Sequence, residues 1–170
     1  MQIIMSIDNI HLPHFIISDL YQKTLVDLST PEKKQLIQSN KELSFFGGYK
    51  QHIILLVNHP DTAFLTDQQL TFLSGILSAC KLTLEDIGLL NIASAHEVSY
   101  TDVINAFNPA IVIMFGVTTD AIHLPFIMPE FQKQSYNNQV YLAVPPLQLL
   151  ENNKELKRKL WMALQQIFSL

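Results

Sequence analysis

The chain is poor in cysteine, and this scarcity excludes several kinds of site. Cys80 is its only cysteine among 170 residues. One thiol cannot form an intramolecular disulfide framework, nor a four-cysteine zinc or iron–sulfur site. Cys80 stands among apolar residues at the end of a predicted helix, so we interpret it as a buried structural thiol. The sequence therefore predicts no metal and no cofactor.

Charged side chains are also scarce, and no long apolar run is present. Charged residues make up 15% of the chain and the net charge is −4. An acidic balance disfavours the basic footprint that non-specific nucleic-acid binding needs, so we expect direct nucleic-acid binding to be weak or absent. No apolar stretch approaches the ~20 residues of a membrane span, and the N-terminus does not resemble a signal peptide. We expect a cytoplasmic protein without a membrane partner.

What the chain does have is a series of short apolar runs separated by helical patterns. The predicted buried strands are residues 52–57, 87–93, 109–116 and 139–144. A further short strand or hairpin is predicted in LSFFGGY, residues 43–49. Strands that are apolar throughout are typical of a sheet covered on both faces. We predict an α/β domain over residues 43–170, a three-layer αβα sandwich whose mostly parallel sheet has about four strands.

The helical patterns have clear start signals. Thr66 is placed to cap a helix over residues 67–81, and a short helix is predicted over residues 100–107. After the proline pair, residues 144–152 read as a loop, and Asn152 or Asn153 begins a long terminal helix. Its apolar stripe consists of Leu156, Leu160, Leu164, Ile167 and Phe168. We expect Trp161, beside this stripe, to pack on the sheet.

Residues 1–42 lack the alternation of strands and helices and are predicted to form an N-terminal arm. Thr30 followed by Pro31 is typical of a helix start, so the arm is predicted to contain a short helix from Pro31 to Ser39. His11 and His14 are three residues apart, but two histidines do not complete a zinc site.

Sites in parallel sheets form in the loops beyond the carboxyl ends of the strands. The loops in question are residues 58–65, 94–99, 116–120 and 144–152. His59 and Asp61 could serve as a general base, although a turn also uses Asp for capping. No spacing in these loops matches a phosphate loop or a nucleophile with its base and oxyanion donors. Lys154, Lys157 and Arg158 are either phosphate contacts or a solvated helix face, and Glu151 and Glu155 favour the latter.

Three blocks of the chain resemble the uracil-DNA glycosylase fold superfamily. They are HIILLVNHPDTAFLTDQQLTFLSGILSACKLTLEDIGLLNIA, NPAIVIMFGVTTDAI and VPPLQLLENNKELKRKLW. They look like that family's first strand, active-site loop, helix and second strand, then its third strand ended by glycine, then its final loop and helix. The resemblance spans about two thirds of the chain and implies a glycosylase-like fold.

The chain departs from the active members of that family in both catalytic loops. Active members carry a Gly-rich acidic or Asp-Pro-Tyr type motif after the first strand and a His-Pro-Ser type loop after the last. Here these positions hold Asn58, His59, Pro60 and Asp61, and then Val144, Pro145 and Pro146. We therefore predict that both loops are vestigial and that the protein is not an enzyme. A diverged DNA-repair glycosylase and an orphan α/β domain remain the alternatives.

The final block is most similar to a branch of the superfamily without catalysis, the psi-subunit family of bacterial DNA polymerase III. The residues at psi-like spacing are Pro145, Leu147, Leu150, Asn153, Leu160 and Trp161. Leu65, Thr66 and Asp67 also match the start of a psi helix. The resemblance implies an adaptor that joins clamp-loader and chi-like subunits and grips the clamp loader with its N-terminal peptide. The candidate anchors on residues 1–30 are Leu12, Phe15, Ile16, Leu20 and Tyr21.

Overall fold

The computed structural model describes residues 43–95 and 97–169. The predicted arm over residues 1–42 lies outside this part of the chain. So do its short helix, its five candidate anchors, and His11 and His14. The division into an arm and a domain that begins at residue 43 therefore stays a prediction.

Six strands and four α-helices form the described part. The strands are β1 (Phe45–Phe46), β2 (Ile53–Val57), β3 (Ile87–Asn91), β4 (Ile111–Phe115), β5 (Lys133–Tyr136) and β6 (Gln139–Val144). The helices are α1 (Asp67–Ala79), α2 (Tyr100–Phe107), α3 (Leu147–Asn152) and α4 (Lys154–Phe168), with a 3-10 helix at Asp120–Ile122. The predicted α/β class is confirmed. No helix within the described ranges has the length and apolarity needed to cross a membrane.

The strands form one mixed sheet in the order β1-β3-β2-β4-β6-β5. β3, β2, β4 and β6 pair in parallel, whereas β1 and β5 pair antiparallel at the two edges. The expectation of about four strands is therefore wrong, because the described residues already form a sheet of six strands. β5 was missed because its sequence, KQSY, has no apolar run and is largely exposed.

A two-residue turn connects β5 to β6. Asn137 and Asn138 both have positive φ, 50° and 66°. This is the backbone of the tight hairpin turn whose twist matches that of paired strands, and asparagine adopts it at little cost. The antiparallel edge of the sheet is thus encoded in the turn rather than in the strand.

Successive residues of each central strand pack on opposite faces of the sheet. In β2, Leu55 belongs to a core cluster that includes residues of α1, α3 and α4, and Leu56 belongs to one that includes residues of α2 and the 3-10 helix. This alternation follows from the two-residue period of a strand. Because both faces are covered, the strands are apolar throughout, as the sequence indicated. Cys80 lies buried in the first cluster, which confirms its predicted placement.

Capping interactions set where the longer helices begin. Thr66 accepts a hydrogen bond from the backbone of Gln69, whose side chain bonds back to the Thr66 amide, and Ser99 forms the same box with Asp102. Asn153 accepts hydrogen bonds from the first amides of α4. The predicted helix over residues 100–107 is confirmed at both ends, whereas α1 ends two residues earlier than expected.

The C-terminal region differs from the prediction in two respects. Residues 147–152, expected to be loop, form the short helix α3, which starts directly after Pro146. Trp161 does not pack on the sheet: its exposed fraction is 36%, against 2% for its neighbour Leu160. Adjacent helix positions are 100° apart around the axis, so burial of Leu160 turns Trp161 toward the flank of α4.

Candidate functional site

The loops that follow β2, β4 and β6 lie at one edge of the sheet, because these strands are parallel. The predicted site residues occupy two of them. Asn58, Pro60 and Asp61 are exposed and His59 is half-buried in the loop after β2. Val144, the last residue of β6, and Pro145 after it are buried, and Pro146 is exposed.

The loop after β2 is held by one buried side chain, that of Asn91 at the end of β3. Its Oδ1 accepts hydrogen bonds from the amides of His59 and Ala93, at 2.9 and 3.2 Å. Its Nδ2 donates to the carbonyls of His59, Thr62 and Ala63, at 2.7, 2.9 and 3.2 Å. Asn91 is fully buried, so these bonds satisfy an amide that would otherwise be costly to desolvate. The loop backbone is thereby fixed over five residues.

These five bonds, the Asn91 clasp, use both backbone polar groups of His59 and do not involve its imidazole. Within the described ranges, no hydrogen bond or ion pair joins the side chain of His59 or Asp61 to another residue. A general base is usually oriented by a second group that fixes its tautomer or charge. His59 and Asp61 are therefore brought to the expected edge of the sheet but are not assembled into a catalytic pair.

The loops after β4 and β6 pack against each other. Gly116 has a φ of +66°, and a β-carbon added there would lie 2.6 Å from Pro146 Cγ. The Gly116 amide also donates to the Val144 carbonyl, at 2.9 Å. Only glycine combines this backbone conformation with such a close approach. The proline ring thus lies on the Gly116 backbone.

The three candidate phosphate contacts lie on α4. Lys154, Lys157 and Arg158 are all exposed, and none makes an ion pair within the described residues. The Lys157 ammonium lies 5.2 Å from the centroid of the Phe72 ring, a cation–π distance. Glu151 accepts a hydrogen bond from Gln68 of α1 and not from these cations. The structure therefore places Lys157 between two helices, while a phosphate role for the three cations stays a prediction.

A groove with a volume of about 430 Å³ runs between α1 and α4. Its lining is almost entirely apolar. It includes Phe72, Gly75 and Ile76 from α1 and Lys157, Leu160 and Trp161 from α4. A groove of this character is suited to binding apolar groups.

Nothing in the described part of the chain assembles a metal site, since it contains no cluster of three His, Cys, Asp or Glu residues able to hold an ion. The polar groups at the carboxyl edge of the sheet connect the loops to each other. Among the described residues, the hydrogen bonds at this edge fix the backbone of the loop after β2 and join Gly116 to the end of β6. The lining of the apolar groove can contact the apolar side chains of a bound molecule.

Sequence reasoning missed Asn91, Gly116 with Pro146 as a contact, and the groove. One signal could have found Asn91, because a single polar residue interrupts the buried run IGLLNIA. Such a residue must find hydrogen-bond partners when the strand is buried. The other two depend on residues far apart in the chain and have no local signature.

Comparison with known protein families found no family model that matches this chain, and comparison with curated proteins found no similar relative.

Proposed function

We propose that this protein is a non-enzymatic adaptor, similar to the psi subunit of bacterial DNA polymerase III, built on a fold like that of the uracil-DNA glycosylases. It would connect a clamp-loader subunit to a chi-like subunit, the partners that the resemblance implies. The observation that carries the proposal is the packing of Pro146 on Gly116. This contact occupies the edge of the sheet where the resemblance would place catalytic groups.

The clasp of Asn91 on the loop after β2 supports the same proposal. The backbone of this loop is bonded to the buried Asn91 amide, so the shape of the loop is part of the scaffold. His59 and Asp61 on that loop lack an orienting partner among the described residues. The loops after β2, β4 and β6 are held by contacts within the fold, and their described residues do not form an acid–base pair. This arrangement suits a scaffold whose function is binding.

The psi-like residues of the final block also have structural roles that suit an adaptor. Pro145, Leu147, Leu150 and Leu160 are buried, and Asn153 caps α4. Trp161 is different: Leu160 also lines the groove but is 2% exposed, whereas Trp161 lines it and is 36% exposed. Exposed aromatic residues in apolar surroundings are frequent anchors of protein interfaces. The spacing therefore combines core positions with one binding position.

The binding proposal is tested by reconstitution with purified subunits. The full chain, mixed with a clamp-loader complex and a chi-like subunit, is expected to co-elute with both in size-exclusion chromatography. Phe15→Ala combined with Ile16→Ala should lose the clamp loader while keeping the chi-like subunit, and Ser18→Ala is the matched control. Failure of the unmodified chain to bind either protein would overturn the adaptor function.

The non-enzymatic part of the proposal is tested separately. The chain is incubated with single- and double-stranded DNA that contains uracil, from mildly acidic to mildly alkaline pH, and base release is measured. We expect none above background. Base release that disappears in His59→Ala or Asp61→Asn would establish instead the diverged glycosylase, which must draw a base out of the stack into a pocket.

A further inference from the structure

The groove between α1 and α4 is open and apolar, and its walls are two helices. Helix backbones bond within themselves, so the walls offer side chains and no free backbone donors or acceptors. A bound strand would leave its own backbone groups unpaired in this groove, at considerable cost. A bound helix brings a satisfied backbone and presents only side chains. The groove is therefore suited to an amphipathic helix laid along it.

The charge of the groove indicates what the helix must carry. Among the described lining residues, Lys157 is the only one with a formal charge. It contacts the Phe72 ring and has no ion-pair partner in the described ranges. Lys154, Arg158 and Lys159 are exposed on the same helix and are likewise unpaired there. A carboxylate on the bound helix would complement this cationic flank.

The groove has free space at Gly75. A β-carbon added at Gly75 would meet no atom within 4 Å, although the residue lies inside α1. Glycine in a helix interior costs about 0.5–1 kcal/mol relative to alanine, so its presence does not serve the helix itself. It leaves room for a large side chain of the occupant in the groove that Phe72 and Trp161 also line.

We infer that this groove binds an amphipathic helix of another protein, with leucine-like anchors on one face and a carboxylate that pairs with Lys157. The inference deepens the proposed adaptor function and rests on it for the biological partner. The chemistry of the groove defines the ligand class: an apolar helix with an acidic end.

Trp161 supplies a direct readout, because it is the only tryptophan in the chain and it lines the groove. The probe is a synthetic helical peptide without tryptophan, with leucines at positions i, i+4 and i+7 and a glutamate at i+11. A second peptide has lysine in place of the glutamate. Binding is followed by the blue shift of Trp161 emission and, independently, by titration calorimetry.

Three variants of the full chain define the outcome. Lys157→Glu should reverse the preference between the two peptides, each preference being about fivefold because exposed ion pairs contribute little. Gly75→Leu should fill the groove and weaken binding at least about tenfold while the chain stays folded, since the new side chain enters open space. Ser78→Leu adds the same side chain to an exposed position of α1 outside the groove lining and should bind as the unmodified chain does.

Saturable binding with this pattern of preferences would support the inference. Equal affinity for the two peptides, no binding of either, or binding that survives Gly75→Leu would overturn it. A blue shift that grows with protein concentration alone would show that a second copy fills the groove, and would overturn it as well. The titration contains no replication protein, so its failure is distinguishable from failure of the reconstitution described above.

Discussion

Pro146 lies so close to Gly116 that a β-carbon at Gly116 would come within 2.6 Å of Pro146 Cγ and 3.1 Å of its Cβ. Gly116 begins the loop after β4 and Pro146 ends the loop after β6, so their contact joins the carboxyl ends of neighbouring parallel strands. Substitution at Gly116 should therefore change the stability of the fold and the shape of the loops at this edge of the sheet.

Replacing Gly116 by alanine should destabilise the fold by roughly 2–3 kcal/mol, since a left-handed conformation costs an L-residue about 1–2 kcal/mol and the proline contact adds strain. Urea unfolding followed by circular dichroism measures this change. Gly75→Ala is the matched control and should stabilise by about 0.5–1 kcal/mol, because its β-carbon meets nothing. A Gly116→Ala protein as stable as the unmodified one would contradict the described contact.

Asn91→Ala should lower the free energy of unfolding by about 3 kcal/mol. The change removes five hydrogen bonds and leaves partly buried backbone groups of the loop after β2 without their Asn91 partner. The loop should also become sensitive to limited proteolysis near Asp61. Asn105→Ala on the exposed face of α2 is the control and should change stability by less than about 0.5 kcal/mol. Equal effects of the two substitutions would argue against the clasp.

Leu160 lies in the core, whereas its neighbour Trp161 is partly exposed. Replacing each by alanine should therefore have different effects on stability. Leu160→Ala should destabilise by about 2–5 kcal/mol, because it opens a cavity in the core between the sheet and α4. Trp161→Ala should cost no more than about 1 kcal/mol, since the ring is over one third exposed. Thermal or urea unfolding of both variants checks the difference. A larger loss of stability for Trp161→Ala than for Leu160→Ala would indicate that Trp161 packs on the sheet, as the sequence predicts.

Stability should fall in alkaline solution because of Tyr141. Burial raises the pKa of this phenol from 10.0 to about 12, and its hydroxyl donates to Gln139 Oε1 at 2.7 Å. The unfolded chain therefore loses the phenolic proton at a lower pH than the folded one. The contribution of the protonated Tyr141 to the free energy of unfolding is complete below pH 10 and is lost as pH rises from 10 to about 12.

The loss attributable to Tyr141 should be about 2 kcal/mol by the end of that range, with Tyr49 adding to it because burial raises its pKa likewise to about 12. Tyr141→Phe should be about 1 kcal/mol less stable at neutral pH, through loss of the bond to Gln139. Its stability should then decline less steeply above pH 10. Urea unfolding at neutral and alkaline pH measures both, and parallel declines of the two proteins would contradict the assignment.

Local signals predicted much of the fold. The run IILLV of β2 is buried on both faces, and Thr66 caps a helix that begins at the next residue, because period and capping depend on residues a few positions apart. The polar edge strand β5 was missed for the same reason: its stability depends on pairing with β6 and on the turn at Asn137 and Asn138. α3 was missed because a proline pair after a strand is typical of a loop, whereas here the helix begins directly after Pro146.

The candidate site was predictable only as a location. The rule for parallel sheets led to the loops after β2 and β6, where the structure places His59 and Pro146. Neither the clasp of Asn91 nor the closeness of Gly116 to Pro146 could be read from spacing, since the partners are about 30 residues apart. The groove likewise joins α1 to α4 from opposite ends of the domain.

The sequence by itself determined the α/β class, the buried central strands and the start of each long helix, because apolar period and caps act over single turns and strands. Only the tertiary structure decided which side of α4 holds Trp161, what Asn91 bonds and how Pro146 meets Gly116. Parallel strands need long crossovers, so they bring together loops that are distant in the chain. Which of those loops hold each other is a property of packing in three dimensions.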